Sequence, residues 1–302
     1  LPQLSGVEVA GTSMLGRGAL ALGLSDGRVI PLEVKFNVSF SIPDGRRQVE
    51  PELAAGEPIT ADPGGRPITR LAHAAAQSGP LTVARVGPRD LALVTISERK
   101  ALIGPSTREE SRRLLSLPIQ GEISALALDG RGEDIFVGTS DGQVLRVDLR
   151  EPGEPRLVET TPVAVRPGAA VSAMGFLIGD RTLVVGDEAG GVSTWQLLPG
   201  AGGERRLKKI YDFTPHSGPV VAFAPSRRDK GFITADASGV AHVNYGTTGK
   251  TLLTVKAEGE RVRALTFAPK ADGFMTVDSG GRLSHWALDS PHPEVTLESL
   301  FG

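Results

Sequence analysis

The chain has 302 residues, with 38 glycines, 22 prolines, 5% aromatic residues and no cysteine. Its 33 basic and 35 acidic residues leave a formal charge of −2. The missing cysteine excludes disulfides, thiolate catalysis and cysteine-ligated zinc, and near-neutrality removes any general attraction to nucleic acid or to an anionic membrane face. No apolar run approaches the roughly 18 residues that span a bilayer. The start at Leu1 is what a processed protein or an excised domain would give.

The first predicted element is the strand-sized run Ala19–Leu24, followed by the turn Ser25-Asp26-Gly27 and a second strand from Arg28. Glycine supplies the positive φ of such a hairpin turn, and aspartate bonds to the nearby backbone. The stretch from Asn37 to Pro67 carries Pro43, Pro51, Pro63, Pro67 and the Gly64-Gly65 pair. It reads as an outer strand followed by a long connection. A degenerate second copy runs from Leu81 to Val94. Between Arg108 and Leu115 the helix formers Glu109, Glu110, Arg112 and Arg113 predict a short helix.

Four clearer copies follow, each an apolar strand, a turn rich in Asp, Ser and Gly, and an alternating strand. They span Ile135–Val147, Leu183–Trp195, Gly231–Val243 and Phe274–Trp286. Leading strands are predicted at Ile123–Leu128, Val171–Phe176, Val220–Phe223 and Val262–Phe267. Trailing strands are predicted at Arg156–Glu159, Leu207–Tyr211, Thr251–Val255 and Val295–Leu300. The apolar residue after each turn (Val144, Val192, Val240, Leu283) recurs at intervals of 48, 48 and 43 residues, and Val29 stands 115 residues before Val144. Val147, Trp195, Val243 and Trp286 are expected at one equivalent, buried position.

Four strands per unit at a period of about 40–50 residues is the pattern of a β-propeller. One blade cannot cover both of its faces, so blades stack on one another. The expected fold is an all-β propeller of four-stranded antiparallel blades occupying 1–302 as one domain. The approximate blades are 1–50, 51–118, 119–165, 166–214, 215–257 and 258–302. Six blades are countable, and seven in a longer parent protein remain open.

The search for chemistry yields little. His73, His216, His242, His285 and His292 form no metal-binding motif in sequence. Gly246-Thr247-Thr248-Gly249-Lys250-Thr251 looks like a phosphate loop, but Asn244 stands where the first glycine belongs, so a hairpin turn is expected. Neither a nucleophile elbow nor a dinucleotide fingerprint is present. Aspartates in the turns read as turn chemistry rather than metal ligands. Arg205, Arg206, Lys208 and Lys209 are the densest basic run, with Arg227, Arg228 and Lys230 a smaller one. The first run is the candidate contact for a protein partner or an anion, weighed against ordinary protection of an edge strand. No catalytic residue, cofactor or metal is assigned.

The blades resemble WD40 repeats, and His216-Ser217-Gly218-Pro219-Val220 resembles the Gly-His turn that opens such a repeat. The Trp-Asp dipeptide is replaced by Val147-Asp148, Trp195-Gln196 and Trp286-Ala287. A narrower resemblance rests on Ala19-Leu20-Ala21-Leu22-Gly23-Leu24-Ser25-Asp26-Gly27-Arg28 and on the terminal run from His292 to Gly302. These look like the large soluble insertion of bacterial phosphate ABC transporter permeases of the PstC type. The resemblance implies an extracytoplasmic domain at the inner membrane, a non-catalytic docking or regulatory role in phosphate import, and a transporter subunit or phosphate-binding protein as partner. Two other expectations stand beside it: a free-standing scaffold, and a propeller hydrolase with a metal held by converging carboxylates and histidines.

Overall fold

The computed structural model describes residues 4–16, 19–40, 45–76, 79–99, 107–151, 153–200, 202–256, 261–268, 270, 272–288 and 293–297. Every regular element among them is a strand. Blade 1 holds β1 (Val9–Gly16), β2 (Ala19–Leu24), β3 (Arg28–Phe40), β4 (Arg47–Ala55) and the short β5 (Ile59–Thr60), which pairs with β3. Blade 2 holds β6 (Leu71–Ala76), β7 (Gly79–Arg85), β8 (Asp90–Arg99) and β9 (Thr107–Ser116). Blade 3 holds β10 (Ile123–Leu128), β11 (Asp134–Thr139), β12 (Gln143–Asp148) and β13 (Arg156–Pro162). Blade 4 holds β14 (Val171–Phe176), β15 (Thr182–Asp187), β16 (Val192–Pro199) and β17 (Arg205–Asp212). Blade 5 holds β18 (Val220–Pro225), β19 (Gly231–Asp236), β20 (Val240–Tyr245) and β21 (Lys250–Lys256). Blade 6 holds β22 (Val262–Phe267), β23 (Gly273–Asp278), β24 (Leu283–Ala287) and β25 (Pro293–Leu297).

Each blade is an antiparallel meander in sequence order, so the fold is the six-bladed β-propeller expected from the repeat. Two compact units are distinguishable: Leu1–Ile119 with Gly130–Asp134 and Leu149–Pro155, and the remainder of the chain from Gln120. In the first, β1 lies beside β6; in the second, β10, β14, β18 and β22 lie side by side in that order.

Burial follows strand position. All six residues of β11, β15 and β19 are buried, whereas β13 and β17 are mostly exposed. A strand covered on both faces reads as a continuous apolar run, and an outer strand reads as polar. Blades approach closely where the second strand carries a small residue. A Cβ on Gly186 would fall 2.7 Å from Val220 Cγ1 of the next blade. Ala235 takes the same position in blade 5 and packs in one cluster with Val262.

The repeat is more regular in three dimensions than in sequence. The leading strand of each of blades 3–6 shifts register at Ile123/Ala125, Val171/Ala173, Val220/Ala222 and Val262/Ala264. The third strand shifts at Arg146/Val147, Thr194/Trp195, Val243/Asn244 and His285/Trp286. The residue after that second shift is the equivalent position, and in blade 5 it is Asn244, not Val243. Likewise Val192, Ala241 and Leu283 pair with Gly186, Ala235 and Val277, so Ala241 replaces Val240 in the register. The intervals from Val144 become 48, 49 and 42 residues. Val240 fills the turn position held by Gly191 in blade 4 and by Arg282 in blade 6, which residue type alone does not reveal.

Two further expectations are corrected. Residues 108–115 form strand β9, paired along its length with β8, not a helix. Helix propensity yields there to the ladder that β8 offers. The stretch from Asn37 contains the end of β3, a second strand β4 and β5, so it is a hairpin before it is a connection. The leading strands and the trailing strands β13, β17 and β21 lie where the sequence places them. β25 is described only to Leu297, and His292 lies outside the described residues.

Candidate functional site

The basic run occupies β17, the outer strand of blade 4. Leu207 at the centre of the run is buried in one cluster with Trp195 and anchors the strand, while Arg205, Arg206, Lys208 and Lys209 stay exposed. Alternation sends Arg205 and Lys209 to one face of the strand and Arg206 and Lys208 to the other. Arg206 pairs with Glu204 at 3.4 Å, and Lys209 pairs with Asp212 at 2.9 Å. Arg205 Nη2 reaches the Leu197 carbonyl at 3.5 Å. The four cations therefore share a strand but do not converge on one point.

The strand is tied to blade 3 by buried charges. Both Glu159 carboxylate oxygens accept from the Leu207 N–H at 3.0 Å. Arg146 lies 3.7 Å from Glu159 and donates to the Arg205 carbonyl at 3.0 Å. The Thr161 hydroxyl donates to Glu159 at 3.1 Å. This cluster holds the basic strand in place from below.

The second cluster is buried in blade 5 and was missed as a cluster in the sequence. His216 and His242 stack with centroids 4.0 Å apart and rings 15° from parallel. His216 Nε2 lies 2.9 Å from Thr234 Oγ1, to which Asn244 donates at 3.3 Å. The His216 Nδ1 lies 3.5 Å from Asp236 Oδ2, an electrostatic contact longer than a hydrogen bond. Placing the ring proton on Nδ1, facing the carboxylate, lets Nε2 accept from Thr234, and a directed chain runs Asn244, Thr234, His216, Asp236. Burial and the neighbouring His242 push His216 down to about 4, against the pull of Asp236. Burial also lowers His242. Burial raises the Asp236 carboxyl, but hydrogen bonds from Ser238 and Val240 outweigh it and hold it below its ordinary value.

Asp236 also serves its turn. Its Oδ1 accepts from the Ser238 and Val240 N–H groups, two and four residues on. Asp187 accepts from Ala189 and Gly191, and Asp278 from Gly280 and Arg282, in the same way. These aspartates are turn residues, and Asp26 of the Asp-Gly turn in blade 1 likewise accepts from the Arg28 N–H two residues on. In blade 4 the other oxygen of Asp187 accepts from the Val165 N–H at 2.8 Å, where blade 5 has the His216 side chain. The sequence signal for Asn244 is its spacing: it stands eight residues after Asp236, as Trp286 stands after Asp278 and Trp195 after Asp187. Trp286 donates from its indole nitrogen to Thr276 at 2.9 Å, the bond that Asn244 makes to Thr234.

Stacked imidazoles direct their ring lone pairs in parallel, so His216 and His242 cannot close on one ion. Among the described residues no group of three His, Cys, Asp or Glu side chains could hold a metal. The Gly246–Lys250 segment is the turn between β20 and β21, with Gly249 at φ 66°. A shallow open groove of about 290 Å³ lies at the base of the β3–β4 hairpin, lined in part by Glu33, Lys35 and Ala54. No helix among the described residues is long and apolar enough to cross a membrane. No protein-family model matches the chain, and no curated protein matches it.

Proposed function

We propose that the chain is a non-catalytic docking domain, the extracytoplasmic insertion of a phosphate-importing ABC permease of the PstC type. Its partner is a transporter subunit or the phosphate-binding protein. The reading rests on the resemblance of Ala19–Arg28 and the C-terminal run to that insertion. One structural observation supports docking over chemistry: of the titratable groups that come together in blade 5, His216 bonds to Thr234, Asp236 holds its own turn and His242 stacks on His216. The cations of β17 stand outward on a strand braced by Glu159 and Arg146. A braced outer strand presents charge to a partner surface without building a closed anion pocket.

Tight phosphate binding needs convergent donors or bidentate arginines, and the split faces of β17 supply neither. Calorimetric titration of inorganic phosphate into the chain is expected to give no micromolar binding. Micromolar affinity lost in Arg205→Ala/Arg206→Ala would replace docking with phosphate sensing. Binding of the cognate phosphate-binding protein, weakened by salt and by Lys208→Ala/Lys209→Ala, is the positive outcome.

A further inference from the structure

Blade 1 carries a hairpin that the docking strand of blade 4 does not use. Beyond Glu33 and Ala54, β3 and β4 run on as a two-stranded ribbon paired from Val34↔Leu53 to Phe40↔Arg47. Its two faces differ sharply. One carries Val34, Phe36, Val38 and Phe40 opposite Leu53, Pro51 and Val49, with Arg47 at the end. The other carries Lys35, Asn37 and Ser39 opposite Glu52, Glu50 and Gln48. Phe36 is 61% exposed and Phe40 67%, with Val38, Val49 and Leu53 near one half. The apolar face continues the side on which Ile30 and Leu32 are buried, so the core-facing pattern of β3 extends past the core.

We propose that this face is a self-association surface, covered by the same hairpin of a second copy of the chain. A face with a single charge among eight side chains calls for an apolar partner, and the chain itself carries the matching surface. With aromatic side chains of about 150–250 Å² each, these five exposed residues present on the order of 500 Å². Two copies would bury about 1,000 Å², the lower bound for a specific interface. Faces of sheets stack about 10 Å apart with side chains interdigitating, and a ribbon of seven rows is about 20 Å long. A two-fold axis across the ribbon sets the hairpins antiparallel and separates the two Arg47 side chains; tip-to-tip packing would bring those like charges together. Association through the free edge of β4 is disfavoured, because Pro51 lacks an N–H and Glu50 and Glu52 flank it. This inference does not depend on the transporter reading.

The test is sedimentation equilibrium of the chain over a wide concentration range, beside Phe36→Ser/Val38→Ser/Phe40→Ser and the polar-face control Asn37→Ala/Ser39→Ala. The replaced residues are exposed, so circular dichroism should be unchanged in every variant. The expected result is a monomer of 31.6 kDa that doubles in mass with a midpoint on the order of micromolar, in the parent chain and the control alike. The triple variant should stay monomeric at concentrations at least tenfold higher. Because the chain has no cysteine, Val38→Cys near the ribbon centre should give a disulfide-linked dimer on oxidation. A parent chain that stays monomeric to several hundred micromolar overturns the proposal. So does a dimer that persists in the triple variant, or a monomer that floats with phosphatidylcholine vesicles, which would make the face a lipid contact.

Discussion

His216 shows how one residue sets the acid limit of a blade. It is 5% exposed and neutral, with its ordinary value of 6.5 pushed down to about 4 by burial and by His242. The folded chain therefore binds fewer protons than the unfolded chain between those values. The stability it contributes is complete above pH 6.5 and is lost as pH falls through 4. At 1.36 kcal/mol per pH unit for one proton, the loss reaches about 3 kcal/mol. His242 and the half-buried His73 are lowered too and add to the slope. Urea midpoints measured from pH 7 to pH 4 should fall steadily, and His216→Asn should remove about one proton from that dependence. An unchanged slope would mean that the ring is protonated in the folded state. The neighbouring turn has a steric limit instead. Gly190 has φ 88°, and a Cβ there would meet the His216 carbonyl oxygen, so no other residue type fits without movement.

At the scale of elements, the latch between β13 and β17 replaces the missing backbone ladder between outer strands of adjacent blades. Glu159 and Arg146 have side chains 7% and 11% exposed, and the carboxylate accepts from Leu207 and Thr161. Removing one partner of a buried pair leaves the other charge unpaired, which costs more than the pair is worth. Glu159→Ala should destabilise the chain by about 3 kcal/mol. Arg146→Met/Glu159→Leu together should cost less than the sum of the single changes, which denaturant unfolding of the four proteins measures. Additive losses would show that the two charges do not act as a unit. The strands themselves were legible wherever an apolar run met an Asp-Gly, Ser-Gly or Gly-Gly turn, which is why β10–β24 lie where the sequence places them. Blade 1 and blade 2 were less legible because their outer strands are long and polar on at least one face. Residues 108–115 carry good helix formers, and only pairing with β8 decides their conformation. The buried network was half legible. The turn aspartate and His216 stood out, whereas Asn244 is hidden because it fills a position held by tryptophan in blades 4 and 6, where its amide donates to Thr234 and to the His242 carbonyl and accepts from Thr251.

For the whole molecule, the gradation of burial across each blade predicts a gradation of local stability. Opening a strand costs what it buries and what it bonds, so exchange should follow strand order within a blade rather than position along the chain. The second strands β11, β15 and β19 are buried throughout and bonded on both edges. Their amides, from Ile135 to Gly138, Leu183 to Gly186 and Phe232 to Ala235, should exchange only by global unfolding. Amides of the outer strands β13, β17 and β21 should exchange by local opening, at rates faster by several powers of ten, since each 1.4 kcal/mol is a factor of ten. The β3–β4 ribbon beyond Glu33 buries least and should be fastest in dilute solution. Here the local and molecular scales meet, because self-association would cover that ribbon and nothing else in the chain. Its protection should therefore rise with protein concentration, while that of β13 and β17 stays constant. Protection that rises uniformly in all outer strands would point to general association instead, and equal exchange of second and outer strands would contradict the gradation itself.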